Sequence, residues 1–289
     1  MTALACATVA CRTSAPPGML QGAPLPIDDA RANRVVEAYL AASAARTGLR
    51  GSARVALAGP DFKLNRPQRI VVERPARLRF EVIGLFEQLA AVIVSDGRRY
   101  GFYDASTGEM EEGPLVPSLL WELAKVDVEV AEAVGILLGA PRPRSGSARA
   151  AVWLEPADHI GIAFANGLGA PRPDCPAEPE RGWLDAACFA EAGDLARGGD
   201  AFLFDPAGHL VELRAYDAAG ALRFRARFED YGAIGEGAER VEFPNSVTID
   251  SPGVGSQARF AWNRVMLATD LPDRLFRLPE RRAGQGGAW

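Results

Sequence analysis

Side chains that usually carry out chemistry are scarce in this chain: its 289 residues include two histidines and four cysteines. His159 adjoins Asp158 on a segment that reads as a strand, where neighbouring side chains point to opposite faces, and His209 follows the turn glycine Gly208. Neither histidine belongs to a zinc or nucleophile motif, and neither G-x-S-x-G nor H-E-x-x-H occurs. The string GVGSQA (253–258) fits G-x-G-x-x-A, yet it lies between two strand patterns and lacks the helix N-terminus that would hold a pyrophosphate, so it reads as a hairpin turn. EEG (111–113) and Asp28–Asp29 read as solvated turns and caps, since neighbouring acids alone do not make a glycosidase. No metal, no cofactor and no catalytic residue is expected, and the chain does not read as an enzyme.

Excess positive charge is also missing. Thirty-two Lys and Arg face 37 Asp and Glu, a formal net charge of -5, and the arginines are scattered among acids, which disfavours a nucleic-acid partner. No run approaches the roughly 20 apolar residues of a membrane-spanning helix. No internal repeat is visible. With 48% hydrophobic and 24% charged residues the chain has enough apolar material for a large core, and a single all-β domain of this length is ordinary.

Both pairs of cysteines suggest export. MTALACATVAC (1–11) is small and apolar, and RTSAPPGMLQGAPLP follows as an extended, flexible linker. This resembles the end of a secretory signal whose charged opening and most of whose apolar stretch are missing, which places the true start upstream of Met1. TVAC resembles a lipobox with Cys11 as the acylated residue, Thr8 being the departure from pattern; ALAC, ending at Cys6, is the alternative, and a frayed apolar terminus is the plain structural reading. Cys175 and Cys188 lie in a polar, Pro/Gly-rich excursion over 166–200. A disulfide between them would staple that insertion by about 3 kcal/mol in the chain-entropy model, and two free thiols are the alternative.

Periodicity supplies the elements. Residues 28–47 place Ala32, Val35, Val36, Tyr39, Leu40 and Ser43 at helical spacing, with Asp28 or Asp29 able to cap the start. Gly48 and Gly51 end that pattern. Strict alternation marks 78–82, where Leu78, Phe80 and Val82 share a face, and 222–228, where Leu222, Phe224, Ala226 and Phe228 oppose three arginines. Further strands are predicted over 68–74, 89–95, 99–104, 150–155, 159–165, 201–205, 209–216, 239–249 and 256–267, separated by turn strings such as SDGRR, DASTG, DPAG and DAAG. Residues 117–138 carry Leu119, Leu120, Leu123, Val126, Val130, Val134, Leu137 and Leu138 in mixed i+3 and i+4 steps, which predicts two short helices meeting near 125–127. A curved, half-open antiparallel sheet covered by helices on its apolar face satisfies all of these patterns. One detail resists that frame: EVIGLFEQLAAVIVSDG (81–97) puts Leu85 and Phe86 at a hairpin tip, where polar residues are the rule.

The series RIVVERPARLRFEVIGLFEQLAAVIVSDGRRYGFYD, VDVEVAEAVGILLGAPRP, LRAYDAAGALRFRARFEDYGAIGEGAERVEFPNSVTI and LPDRLFRLPE is similar to the LolB-type outer-membrane lipoproteins and their soluble relative LolA, over most of 49–279. The similarity is a pattern of weak motifs. It implies a mainly β fold, an unclosed antiparallel β-barrel of about eleven strands lidded by helices, with 28–279 as the domain, 166–200 as an insertion, 1–27 as a truncated signal, lipobox and linker, and 280–289 as a tail. It also implies a monomeric, lipid-anchored protein on the periplasmic side of the outer membrane. Its partners would be acylated lipoproteins, a LolA-type periplasmic carrier and the outer-membrane lipid surface.

The resemblance answers the hairpin question too. LolB-type proteins present an apolar residue on a loop between two early strands, and that loop aligns with Gly84–Gln88, making Phe86, helped by Leu85, the membrane-inserting residue; folding back into the core is the alternative. Acyl cargo needs a dry pocket. The candidate walls are Val55, Leu57, Val71, Leu78, Phe80, Val82, Val92, Val94, Leu213, Phe224, Phe228, Val247 and Trp262, with Trp121, Leu123, Val130 and Leu137 from the lid. Taken singly, each of them reads as ordinary core, and only unfilled volume among them would make a cavity.

Overall fold

The computed structural model describes residues 20–166, 183–184, 199–217, 221–235, 237 and 240–278. Cys6, Cys11, Cys175 and Cys188 lie outside these residues, as do most of the 166–200 excursion and the side chain of Leu85. Helix α1 (Ala30–Ala45) starts where expected: the Asp29 carboxylate accepts the backbone N–H groups of Arg31 at 2.9 Å and Ala32 at 3.2 Å, satisfying donors that have no partner inside the helix.

The strands are β1 (Leu20–Gln21), β2 (Ala23–Leu25), β3 (Gly48–Ala58), β4 (Lys63–Glu73), β5 (Arg77–Ile83), β6 (Leu89–Asp96), β7 (Arg99–Asp104), β8 (Met110–Pro114), β9 (Ser147–Glu155), β10 (His159–Asn166), β11 (Trp183–Leu184), β12 (Asp200–Phe204), β13 (Leu210–Tyr216), β14 (Leu222–Ile234), β15 (Val241–Ser251) and β16 (Ser256–Ala268). Fourteen of them form one antiparallel sheet in the order β2-β9-β10-β12-β13-β14-β15-β16-β3-β4-β5-β6-β7-β8, while β1 and β11 pair separately. Two meanders, β3 to β8 and β9 to β16 without β11, are joined where the last strand pairs with β3. The sheet does not close: β2 and β8 are its edges. The fold is therefore the expected mainly β, unclosed barrel with helices, with more strands than the eleven expected.

The strands missed by the sequence pattern share a cause. β8 carries the exposed Glu111 and Glu112, so the acids assigned to a turn sit on an edge strand, where charge discourages pairing with another sheet. β2 is three residues long and includes Pro24. Neither has the apolar alternation that marks a buried strand. GVGSQA does form the turn between β15 and β16, with Gly255 at φ 65.

The inner face carries one continuous core. Leu49, Val55, Ile70, Val72, Leu78 and Phe80 from the first meander meet Phe202, Phe204, Phe224, Phe228, Val247 and Phe260 from the second. The outer face has two smaller clusters. Trp153 lies over Gly161, where a Cβ would come within 1.9 Å of the indole ring, and packs with Ala163, Ala201 and Tyr216. Val71 packs with Leu271 and Phe276 from the 3-10 turn Asp273–Phe276, over which the Arg77 guanidinium sits 4.1 Å from the Phe276 ring centroid.

Candidate functional site

Between β8 and β9 the chain crosses the inner face as two helices, α2 (Leu119–Ala124) and α3 (Val130–Leu137), meeting at Lys125 with φ 56. This is the predicted pair. α3 is apolar almost all round, and Val130, Ala133, Val134, Gly135, Ile136 and Leu137 are buried, so the helix occupies the hollow of the half-barrel like a plug. On α2, Leu119 and Leu120 face the core and Leu123 is half-buried against it, whereas Trp121 points outward, 37% exposed, with the Lys125 ammonium 5.2 Å from its ring centroid. The expected inward role of Trp121 is thus corrected: on a six-residue helix the two consecutive leucines take the buried arc.

The two ends of α3 are held by different chemistry. At the N-terminal end Glu132 bonds the Arg223 guanidinium at 3.0 Å and pairs with Arg144 at 3.3 Å, while Arg144 also reaches Asp200 at 3.7 Å. Burial pushes the Asp200 carboxyl up to about 7, with Arg144 opposing the shift and Glu132 adding to it. At the C-terminal end, three carbonyls just past the helix accept bonds from distant elements. Arg46 donates to Gly139 O at 3.0 Å, Ser43 to Ala140 O at 3.1 Å and Tyr39 to Pro141 O at 2.5 Å, all from or next to α1. Arg74, at the end of β4, donates to Ala140 O and, at 3.0 Å, to Arg46 O. Burial, and then the neighbouring Arg142 charge, lower its guanidinium to about 10, and burial raises the Tyr39 phenol, which stays a donor. Sequence reasoning missed this latch because its acceptors are backbone carbonyls. Its one sequence signal is Ser43, a hydroxyl on the apolar stripe of α1, now buried.

Beside the latch lies a cleft of about 790 Å³, within the ~300–1,000 Å³ range of small-molecule sites. Val35, Ala38, Tyr39 and Ala42 of α1 form one wall, and Ile160, Leu210, Tyr231 and Leu267 the other. Its rim is polar: Arg31, Arg34, Asp158, and a His209 imidazole held 3.1 Å from Asp205 and stacked 4.3 Å from the Tyr231 ring. His159 instead contacts Pro156 O. Among the described residues no group of three or more His, Cys, Asp or Glu is placed to hold a metal, and no helix is long and apolar enough to cross a membrane.

The expected wall residues divide between the two faces. Val55, Leu78, Phe80, Leu213, Phe224, Phe228, Val247 and Trp262 lie in the inner core together with Val130 and Leu137 of the lid, and Leu57 is half-buried against them. Val82 shares that face, opposite Gln68 and Ala91, and is half-buried. Val71, Val92 and Val94 do not. Pairing puts Val71 and Val94 opposite Arg79, and Val92 opposite Glu81, on the outer face. Their assignment to a cavity wall is corrected: β4 and β6 are apolar on both sides, and Ile70, Val72 and Ile93 take the inner positions. Leu213 and Phe224 border a space of about 340 Å³ beside Asp200.

Phe86 lies far from the latch along the strands. It is 96% exposed, on the turn Leu85–Glu87 between β5 and β6, with φ 58. A left-handed backbone costs an L-residue roughly 1–2 kcal/mol, and leaving the ring in water forgoes about 1.5–3 kcal/mol of burial. The turn satisfies neither preference. Register puts it at the strand ends that also carry the β3–β4 and β15–β16 turns, whereas the cleft lies at the opposite ends, beside Leu267 and Glu242.

No protein-family model and no curated protein matches the chain. Among solved structures, a domain from Vibrio parahaemolyticus assigned to outer membrane lipoprotein sorting superposes with a TM-score of 0.50 and 10% identity, over 84% of this chain and 94% of its own. A LolA superfamily protein from Nitrosomonas europaea matches with a TM-score of 0.49 and 12% identity, over 86% and 97%. At this level of identity what the chain shares with the Vibrio domain is its fold.

Proposed function

We infer that the protein is a LolB-type factor of the bacterial outer membrane: it takes acylated lipoproteins from a LolA-type periplasmic carrier, shelters their acyl chains on the inner face of the sheet while the lid is raised, and releases them into the membrane beside Phe86. In this reading the chain is anchored through lipid on Cys11 or Cys6 and works as a monomer. No bond is made or broken, and transfer follows differences in affinity between successive apolar sites. A chain of about fifteen methylenes loses on the order of 12 kcal/mol on entering water. Cargo therefore needs cover throughout, and α3 is the element whose displacement would free apolar surface for it. The observation that carries the reading is Phe86, an aromatic ring held in water on a left-handed turn; strain and exposure at one residue point to function rather than stability.

The test is delivery of an acylated lipoprotein from carrier to vesicles. Phe86→Glu is expected to slow release into vesicles at least about tenfold while leaving uptake from the carrier and the melting temperature unchanged. Equal delivery by the variant overturns the reading. A second reading, a lipid- or peptide-sensing envelope lipoprotein, draws support from the separation of the α1 cleft from Phe86. Tight acyl binding by both parent and variant, with delivery by neither, would favour it.

A further inference from the structure

The turn that carries Phe86 lies on an electrostatic boundary. On one side the strands β16, β3 and β4 present Arg259, Arg54, Lys63 and Arg66, all exposed, against exposed Asp61 in the turn between β3 and β4. Arg66 sits two residues beyond Gln68, the residue paired with Val82, so it lies at the same strand end as the turn, on the inner-face side opposite Val55, whereas Arg54 and Arg259 are on the outer-face side. Arg54 and Arg259 follow on the neighbouring strands, opposite Pro67 and Ala56. Among the described residues none of these four has a carboxylate at ion-pair distance; Arg54 bonds the Asn65 amide at 3.0 Å. The arginines further along the outer face differ, since Arg69 and Arg79 share Glu81, and Arg225 and Arg227 share Asp250. On the other side of the turn, β7, β8 and their connection carry Asp104, Glu109, Glu111 and Glu112, and Glu87 adjoins Phe86 itself.

Unpaired cations beside an exposed aromatic ring are the combination that binds the interface of an anionic bilayer: the ring enters the acyl boundary and the cations meet the headgroups. A duplex nucleic acid or an acidic protein would use the cations and leave the ring in water, and a single strand, which can stack bases on an aromatic ring, is the competing occupant that binding to an RNA oligonucleotide tests. A chain of net charge -5 gains nothing from overall attraction to such a surface, so only a local arrangement of charge can orient it. We propose that the protein docks on a bilayer rich in anionic phospholipid with Phe86 immersed and rolled toward its β16–β3–β4 flank, so that Arg54, Arg66 and Arg259 face the headgroups and the acidic β8 edge is turned away. The inference rests on the reading that Phe86 enters a membrane; it adds the lipid class and the orientation.

Vesicle flotation of the full chain tests it, using phosphatidylcholine alone and phosphatidylcholine with about one third phosphatidylglycerol, at low and high salt. The parent should prefer the anionic vesicles and lose that preference at high salt. At roughly fivefold per cation at a headgroup surface, the triple variant Arg54→Glu, Arg66→Glu, Arg259→Glu should bind anionic vesicles at least about a hundredfold less and neutral vesicles unchanged. Reversing Glu111 and Glu112 to Arg should change anionic binding less than about threefold, because that edge stays away from the headgroups. Melting temperatures identify any variant that fails to fold, and single reversals at these exposed positions then replace the triple. Equal partition of the parent into both vesicle types overturns the proposal, as does a β8 reversal that strengthens binding as much as the triple weakens it, or tighter binding to an RNA oligonucleotide than to vesicles. Phe86→Glu separates the two layers. If it binds both vesicle types as the parent does, the membrane-insertion reading fails; if it loses binding to both while the parent shows no preference for phosphatidylglycerol, only the charge proposal fails.

Discussion

Helix α3 is fastened at its N-terminal end by charged and titratable side chains and at its C-terminal end by neutral backbone carbonyls. The first end, Glu132 with Arg144, Arg223 and Asp200, responds to pH and salt. The second, Gly139 to Pro141 bonded by Tyr39, Ser43, Arg46 and Arg74, does not titrate near neutrality. The difference teaches that the two ends of one buried helix can be fastened so that only one of them depends on titratable acceptors.

The largest effect should come from Asp200. Its folded pKa of about 7 stands above the ordinary carboxylate value of 3.8, so the native state holds a proton that the unfolded chain has released. The stability this proton provides is complete below about pH 4 and is lost as pH rises through about 7, on the order of 4 kcal/mol in all. Urea midpoints followed across this range should fall with rising pH in the parent, and Asp200→Asn should flatten the curve. Arg74→Ala comes next, expected to cost about 2–3 kcal/mol throughout the range from about pH 4 to 8, since it strips a charged donor from two carbonyls; a loss that varied with pH across that range would break the comparison. Glu132→Gln should cost about 1–2 kcal/mol in low salt and less in high salt, because its side chain is only partly shielded from water. Ser43→Ala should lower stability by about 1 kcal/mol without any salt dependence. An environment-sensitive apolar dye would show whether weakening the ionic end exposes the inner face more readily than weakening the carbonyl end.

Local patterns made much of the fold legible. The Asp29 cap, the break at Lys125 and the alternation of Leu78, Phe80, Phe224 and Phe228 are short-range signals, and they lie where the sequence put them. The direction of Val71, Val92 and Val94 was not legible, because RIVVE and AAVIVSD are apolar on consecutive positions, and period 2 assigns a face only when one side is wet. What makes their outer side dry is the C-terminal segment, where Leu271 and Phe276 cover Val71 and where Leu278 and Val94 both come within 3.1 Å of a Cβ built on Gly101. That contact spans about two hundred positions of chain. Phe86 stood out in the sequence for the opposite reason: an apolar residue at a tip has no local explanation, and the structure leaves its ring in water. The α1 cleft and the latch, assembled from Tyr39, Arg46, Arg74 and Tyr231, could not have been read from any one segment.

The pairing of β16 with β3 has a consequence for how the molecule is made. The final strand is the seam between two meanders, and Ala268 meets Gly48 across it. Until that strand is available, β3 and β15 each lack the neighbour they will have in the finished sheet. Such a chain must search for its longest-range partner last, a slow step by loop-closure entropy, and in the meantime two unfinished edges are open to any other extended segment. A chaperone that shields β3 until the last strand is made would then matter more to yield than one that assists the hairpins, which can zip by themselves.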